Sequence, residues 1–205
     1  MSSRYSADGM QGESQPGSNG QVLANQLGIT DADEIAEAEV LLLRKLYEAV
    51  LLSELPDRAL IVQDLIDWHR RWLGNLYDWA GQMRSVNVSK GGFMFAAAGL
   101  IPSLLSDFER DCLARYTPCH DLDLNGLIEA IAVTHVELIL IHPFREGNGR
   151  LSRLLADAMA VQAGREPLDY SAWDADKAVY FSAIQAGQGN DYEPMKSLVG
   201  FALQR

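Results

Sequence analysis

The chain has 205 residues, 48% of them hydrophobic and 22% charged, which suits a folded protein with one ample core or at most two small ones. Its formal net charge of −11 argues against binding to a nucleic-acid backbone as the main activity. Cys112 and Cys119 are too few for a disulfide scaffold and fit reduced thiols in a cytoplasmic protein. No apolar run reads as membrane-spanning, and the start Met1-Ser2-Ser3-Arg4-Tyr5 lacks the apolar core of a secretion signal.

Residues 1–20, rich in Ser, Gly and Gln, read as a flexible arm, which leaves 21–205 as the folded domain. Thr30 with Asp33 three residues on predicts a capped helix running to about Ser53, with Ile35, Ala38, Leu42, Leu46 and Ala49 on one face. Pro56 and Asp57 start a second helix to about Asn75, whose buried side carries Leu65, Trp68, His69 and Trp72. His69 reads there as a core histidine rather than a ligand. Then the period changes. Arg84, Val86 and Val88 alternate with Ser85, Asn87 and Ser89, Lys90-Gly91-Gly92 supplies a turn, and Phe93-Met94-Phe95 returns. A lone hairpin is poorly stable, so this one must rest on helices.

Further helices are expected at about 98–116, 123–140, 150–163, 173–187 and 192–204, with Gly164 closing the third of these. His135 falls inside one of them and reads as structural, while His120, beside Pro118 and Cys119, reads as surface loop. The pattern is mainly α: a single helical domain with one β-hairpin.

Chemistry is concentrated between two apolar helices, in Ile141-His142-Pro143-Phe144-Arg145-Glu146-Gly147-Asn148-Gly149-Arg150-Leu151-Ser152-Arg153. His142 is the one side chain of this loop that can take a proton near neutral pH, which makes it the candidate general base. Glu146 is a hard oxygen ligand suited to Mg2+ that bridges phosphates. Gly147 and Gly149 free the backbone on either side of Asn148 to form an anion-binding nest at a helix N-terminus. The Asn148 amide can donate to an oxygen that gains charge, and Arg150 and Arg153 share a helix face on which they can neutralise outer phosphates. A polyphosphate fits such a site.

His142 to Arg153 resembles the signature of Fic-domain proteins: His-Pro-Phe, any residue, Asp or Glu, Gly-Asn-Gly-Arg, two residues, Arg. Every specified position is filled. Leu76-Tyr77-Asp78-Trp79-Ala80-Gly81-Gln82-Met83-Arg84 is similar to the segment that precedes the family's target-docking flap, and Leu27-Gly28-Ile29 to its N-terminal entry, so the likeness covers roughly residues 20–200. The resemblance implies transfer of AMP from ATP to a Ser, Thr or Tyr hydroxyl of another protein. His142 would act as base, Glu146 would hold Mg2+, and Asn148 with the Gly147 and Gly149 backbone would take developing charge. Arg150 and Arg153 would bind the β- and γ-phosphates. The hairpin becomes a flap that holds an extended target segment by strand addition, with Phe93 and Phe95 as target or nucleotide contacts.

Other outcomes stay open at this point. The Doc branch of the family is a protein kinase and usually departs from the two glycines kept here as Gly147 and Gly149. A catalytically silent binder of nucleotide or protein is the rival from another class, and retention of every motif residue favours an enzyme. The inhibitory pattern of many members (Ser or Thr, three residues, Glu, then Gly or Asn) is not matched; Thr30 to Ile35 fails at its last position. That resembles the branch of toxins controlled by a small separate antitoxin, whose targets include type II topoisomerases.

Overall fold

The computed structural model describes residues 13–204 together with the backbone of residues 6–7. Of the expected arm, residues 1–5 and 8–12 lie outside the described residues; 6–7 form a strand, and 14–23 fold back on themselves with Ser14 bridged to Leu23 and Ser18 buried.

Helix α1 (Ala32–Leu52) opens on Asp31, not Thr30: the Asp31 carboxylate accepts the N–H groups of Asp33 and Glu34, each at 2.9 Å. Both residues can cap, and Asp31 holds the position next to the first turn. Its buried face is Ile35, Glu39, Leu46 and Val50, so one carboxylate lies within the apolar stripe. Helix α2 (Val62–Leu73) starts later than Pro56 and Asp57 suggest. Tertiary partners hold the approach extended: Gln162 Nε2 donates to the Pro56 carbonyl at 2.8 Å, Leu60 N–H to Thr117 Oγ1 at 2.7 Å, and Val62 N–H to Glu109 Oε2 at 2.6 Å. Leu65, Trp68, His69 and Trp72 are buried as expected.

The hairpin pairs β2 (Val88–Lys90) with β3 (Phe93–Met94), Ser89 opposite Met94 and Lys90 opposite Phe93. Gly91 and Gly92 turn it with φ of +57° and +81°. Strand β1 (Ser6–Ala7) adds to the free edge of β2, which completes an antiparallel sheet in the order β1-β2-β3. The alternation that starts at Arg84 is strand only from Val88; Arg84 itself turns inward.

The segment expected as one helix over 98–116 is a continuous rod of changing pitch: a 3-10 turn, α3 (Ile101–Phe108), a π turn over Glu109–Leu113 and α4 (Ala114–Tyr116). Helix α5 (Leu124–Ile141) is capped by Asp123 and runs through the middle, packing on α3, on α6 (Asn148–Gln162) and on α9 (Glu193–Ala202). By length and hydropathy alone α5 could cross a membrane, contrary to the reading of the sequence; its apolar residues are accounted for by burial among these helices. The helix expected over 173–187 is two, α7 (Ser171–Ala175) and α8 (Lys177–Ala186), because Asp176 leaves helical geometry to cap α8 by accepting Val179 N–H at 3.0 Å.

His135 is buried in α5, with Nε2 at 2.8 Å from the Tyr180 hydroxyl and Nδ1 at 3.1 Å from Ser152 Oγ, which ties α5 to α8 and α6. It is structural, as expected. His120 is half-exposed but not loose, with Nδ1 at 2.8 Å from the Gln162 carbonyl and Nε2 at 2.6 Å from Asp57.

Candidate active site

Helix α5 ends where His142 enters the left-handed region, φ +52° and ψ +59°. A side chain rarely adopts that backbone, and the residues that do cluster at sites where the surroundings impose it. Here the imposition is visible. Arg84, 2% exposed, donates from Nε to the His142 carbonyl at 2.7 Å and from its main-chain N–H to the Pro143 carbonyl at 2.8 Å. The imidazole is buried, with Nδ1 at 3.1 Å from the Ile139 carbonyl. A carbonyl only accepts, so Nδ1 carries the proton and Nε2 the lone pair. Burial first, then the charges of Arg84 and Lys90, pull this imidazole down to about 3, so it is neutral at physiological pH.

The flap meets the loop at this ring. Phe95 stacks on His142 with centroids 3.7 Å apart and planes 25° apart, and Phe93 packs edge-on against Phe95 at 5.2 Å. Both phenylalanines singled out in the sequence are therefore at the site, Phe95 directly on the candidate base.

Beyond His142 the loop is braced from inside. Phe144 stacks on His69 at 4.0 Å; His69 accepts Gly81 N–H on Nδ1 at 2.8 Å and donates from Nε2 to the Glu146 carbonyl at 3.0 Å. Burial and the nearby Arg150 charge pull His69 down to about 4, so this brace too is neutral. Asn148 already has partners within the loop. Its Oδ1 accepts Phe144 N–H at 2.9 Å and its Nδ2 donates to the Phe144 carbonyl at 2.7 Å. The chain reverses between these residues, and without the amide both main-chain groups of Phe144 would be buried unpaired. The Asn148 side chain closes the loop, which leaves the main chain to meet an anion.

Gly147 starts α6 with φ +84°, and a Cβ there would stand 2.7 Å from Trp72 Cζ3. Gly147→Ala should therefore cost about 1–3 kcal/mol for the backbone alone, read as a lowered urea midpoint with unchanged slope. A midpoint equal to the parent's would refute it. At Gly149 a Cβ would meet no atom within 4 Å, so the space on that side is open, and the first N–H groups of a helix, outside the intrahelical ladder, can take an anion.

Three charged residues that the motif specifies follow in chain order. Glu146 Oε1 accepts Gly147 N–H at 2.9 Å. Arg150 lies over Trp72, 4.5 Å from guanidinium carbon to ring, with Nη1 at 2.8 Å from Glu39 Oε2. Arg153 forms a two-pronged ion pair with Asp174, at 2.7 and 3.2 Å, and packs 4.7 Å over Tyr170. The guanidinium holds the Asp174 carboxyl below the usual range. Among the described residues no three His, Cys, Asp or Glu side chains converge on a metal. A cation here would rest on Glu146 and on oxygens brought by a ligand, a donor set that suits Mg2+ with phosphates.

Residues 59–160 match the Fic/DOC family. This chain carries a Fic/DOC family domain. Protein adenylyltransferase Fic of Culex quinquefasciatus is 29% identical over 145 residues, covering 70% of this chain and 28% of that protein. "Probable protein adenylyltransferase Fic" of Salmonella typhimurium is 29% identical over 157 residues, covering 73% of this chain and 72% of the other. The chain thus spans about a quarter to a third of the length of the first curated relatives it matches (28%, 25% and 33%). Among solved structures, the Fic domain of Bep8 from Bartonella sp. 1-1C superposes with a TM-score of 0.75 at 22% identity over 89% of this chain and 91% of that one. BepC from Bartonella tribocorum, solved with bound AMPPNP, gives 0.72 at 23% identity over 88% and 91%. These likenesses establish the fold.

His142 ends α5, Glu146 lies in the loop, and Gly147, Gly149, Arg150 and Arg153 lie at the start of α6. Arg84, Glu39, His69 and Asp174 contact His142, Arg150, Glu146 and Arg153 respectively, contacts that the motif does not reveal. The signal for Glu39 was a carboxylate on the buried stripe of α1; Arg84 ends the segment that precedes the flap, a charge where the alternation asks for an inward residue.

Proposed function

We propose that this Fic domain is a protein adenylyltransferase that moves AMP from ATP to a Ser, Thr or Tyr hydroxyl of a target protein. The observation that carries the reading is His142: a neutral imidazole with its lone pair on Nε2, stacked under Phe95 of the flap at the end of α5, one loop ahead of α6. The names of the relatives point the same way, as does the AMPPNP bound by BepC.

In this reading Nε2 takes the target hydroxyl proton as the oxygen bonds to the α-phosphorus; the bond from that phosphorus to the bridging oxygen breaks and pyrophosphate leaves. The main chain at Asn148 and Gly149 takes charge developing on the transferred phosphate, the Gly147 N–H being held by Glu146. Arg153 binds the terminal phosphates once Asp174 yields it, and Arg150 adds positive charge beside them. Glu146 would hold Mg2+, which supplies charge neutralisation between phosphates. The flap aligns an extended target segment through main-chain hydrogen bonds. A small antitoxin acting in trans and a type II topoisomerase as target, in the cytoplasm, complete the reading suggested by the family resemblance.

The test uses Mg2+ and ATP labelled at the α- or the γ-phosphate in a cell extract. Transfer of α-label to a protein band supports the reading. Transfer of γ-label instead would show a kinase, and nucleotide binding with no transfer to any offered protein would favour a silent binder.

A further inference from the structure

Arg150 is already engaged in the folded chain. Besides its bond to Glu39, its Nη2 lies 3.8 Å from Glu146 Oε1. Glu39 comes from α1, 111 positions earlier in the chain, and is 3% exposed. Its Oε1 accepts the Tyr77 hydroxyl at 2.6 Å, and its main-chain carbonyl accepts Trp72 Nε1 at 2.9 Å. Tyr77, Glu39, Arg150 and Glu146 therefore form one polar line from the core to the helix mouth, with Trp72 as the plate beneath the guanidinium.

A carboxylate buried on an apolar helix face is costly for folding, and an apolar residue would serve packing better. What the carboxylate does here is divide the pull of one guanidinium. Arg150 stands between two carboxylates, close to the buried Glu39 and farther from Glu146 at the mouth. With Glu39 neutral, the whole attraction of Arg150 would fall on Glu146, and any cation would have to compete for that carboxylate.

We propose that Glu39 is a positioning residue that holds Arg150 flat on Trp72 and thereby keeps Glu146 available to a divalent cation that arrives with the nucleotide. This rests on the reading above, in which Glu146 faces Mg2+ and the phosphates. Glu39→Gln keeps the shape and an acceptor oxygen and removes the charge. Outer partners of metal ligands typically change metal affinity 10–100-fold, so this variant should need about tenfold more Mg2+ to reach the parent's nucleotide affinity.

The experiment is calorimetric titration of a non-hydrolysable ATP analogue into the full chain at graded Mg2+, with thermal melts alongside. The expected result is weakened binding at low Mg2+ that is restored at high Mg2+, with binding in chelator no weaker than the parent's. A loss equal at every Mg2+ concentration, or no change, would overturn the proposal and leave Glu39 a packing residue. Tyr77→Phe removes one bond to Glu39 and keeps the charge; it should shift the Mg2+ requirement in the same direction and by less. Should Glu39→Gln not fold, that shift decides the matter, and its absence overturns the proposal. If the parent chain shows no Mg2+-dependent nucleotide binding, the underlying reading fails and the proposal with it; if the parent binds and the variants match it, the proposal alone fails.

Discussion

His142→Ala should lower AMP transfer by about 10²–10⁴-fold, the usual share of a positioned general base, while affinity for the ATP analogue stays within about threefold. The split follows from where each function sits. The proposed base is a side chain at the end of α5, whereas the proposed anion site is the main chain at the start of α6 with Arg150 and Arg153, which pack on Trp72 and pair with Asp174 respectively. The Nδ1 bond to Ile139 sets the tautomer, so the ring's lone pair lies on Nε2, and Phe95 stacks on the ring face. Burial and neighbouring positive charges hold it near 3, far below the ordinary histidine value, so the proton-accepting form persists as pH falls through 6.5. Followed by NMR in the nucleotide-free chain, the His142 ring should therefore stay neutral from pH 8 to about pH 5. A titration near 6.5 would remove the electrostatic half of the argument. Transfer by His142→Ala at the parent's rate would remove the other half.

Much of this architecture was legible in the sequence, for identifiable reasons. Helix positions follow from apolar periodicity, and α5, α6 and α9 lie within a residue or two of the expected spans. The motif declares its residues by spacing alone. What stayed hidden depends on partners distant in the chain. The late start of α2 is imposed by Thr117, Glu109 and Gln162, none of which is near Pro56 in sequence. The choice of Asp31 over Thr30 as cap is local but nearly degenerate. The pairing of β1 with β2 joins strands of two and three residues, too short to carry a period. For Asn148 the sequence shows an amide that can donate; its two bonds to the Phe144 main chain appear only in the fold. Glu39 and Arg84 share one lesson. A charge on a stripe that should be apolar marks a side chain with a distant partner, and only the fold supplies the partner.

Arg84→Met should destabilise the chain by at least about 3 kcal/mol, because charged hydrogen bonds are lost and buried acceptors are left bare. It should also lower transfer by about 100-fold, as small displacements of reacting groups do. The guanidinium donates to the carbonyls of His142 at 2.7 Å, Val86 at 2.7 Å, Ala96 at 2.5 Å and Ile141 at 3.3 Å. Val86 enters the flap and Ala96 leaves it, while Ile141 and His142 end α5, so one side chain ties both feet of the flap to the residue beneath it. Burial lowers this guanidinium to about 10, which still leaves it protonated at neutral pH and donating at every position. Methionine fills much of the volume and donates nothing. Ammonium in Arg84→Lys reaches fewer acceptors and cannot form a planar fork, so it should recover part of the stability and less of the activity. Urea melts give the first quantity, and α-labelled ATP with the purified target gives the second. The informative comparison is between them. If stability falls while the remaining folded protein transfers AMP at the parent's rate, Arg84 is only a fastener. If transfer falls further than the folded fraction does, the arginine sets the distance from flap to base, and the left-handed turn at His142 is held open for catalysis by a residue 58 positions away.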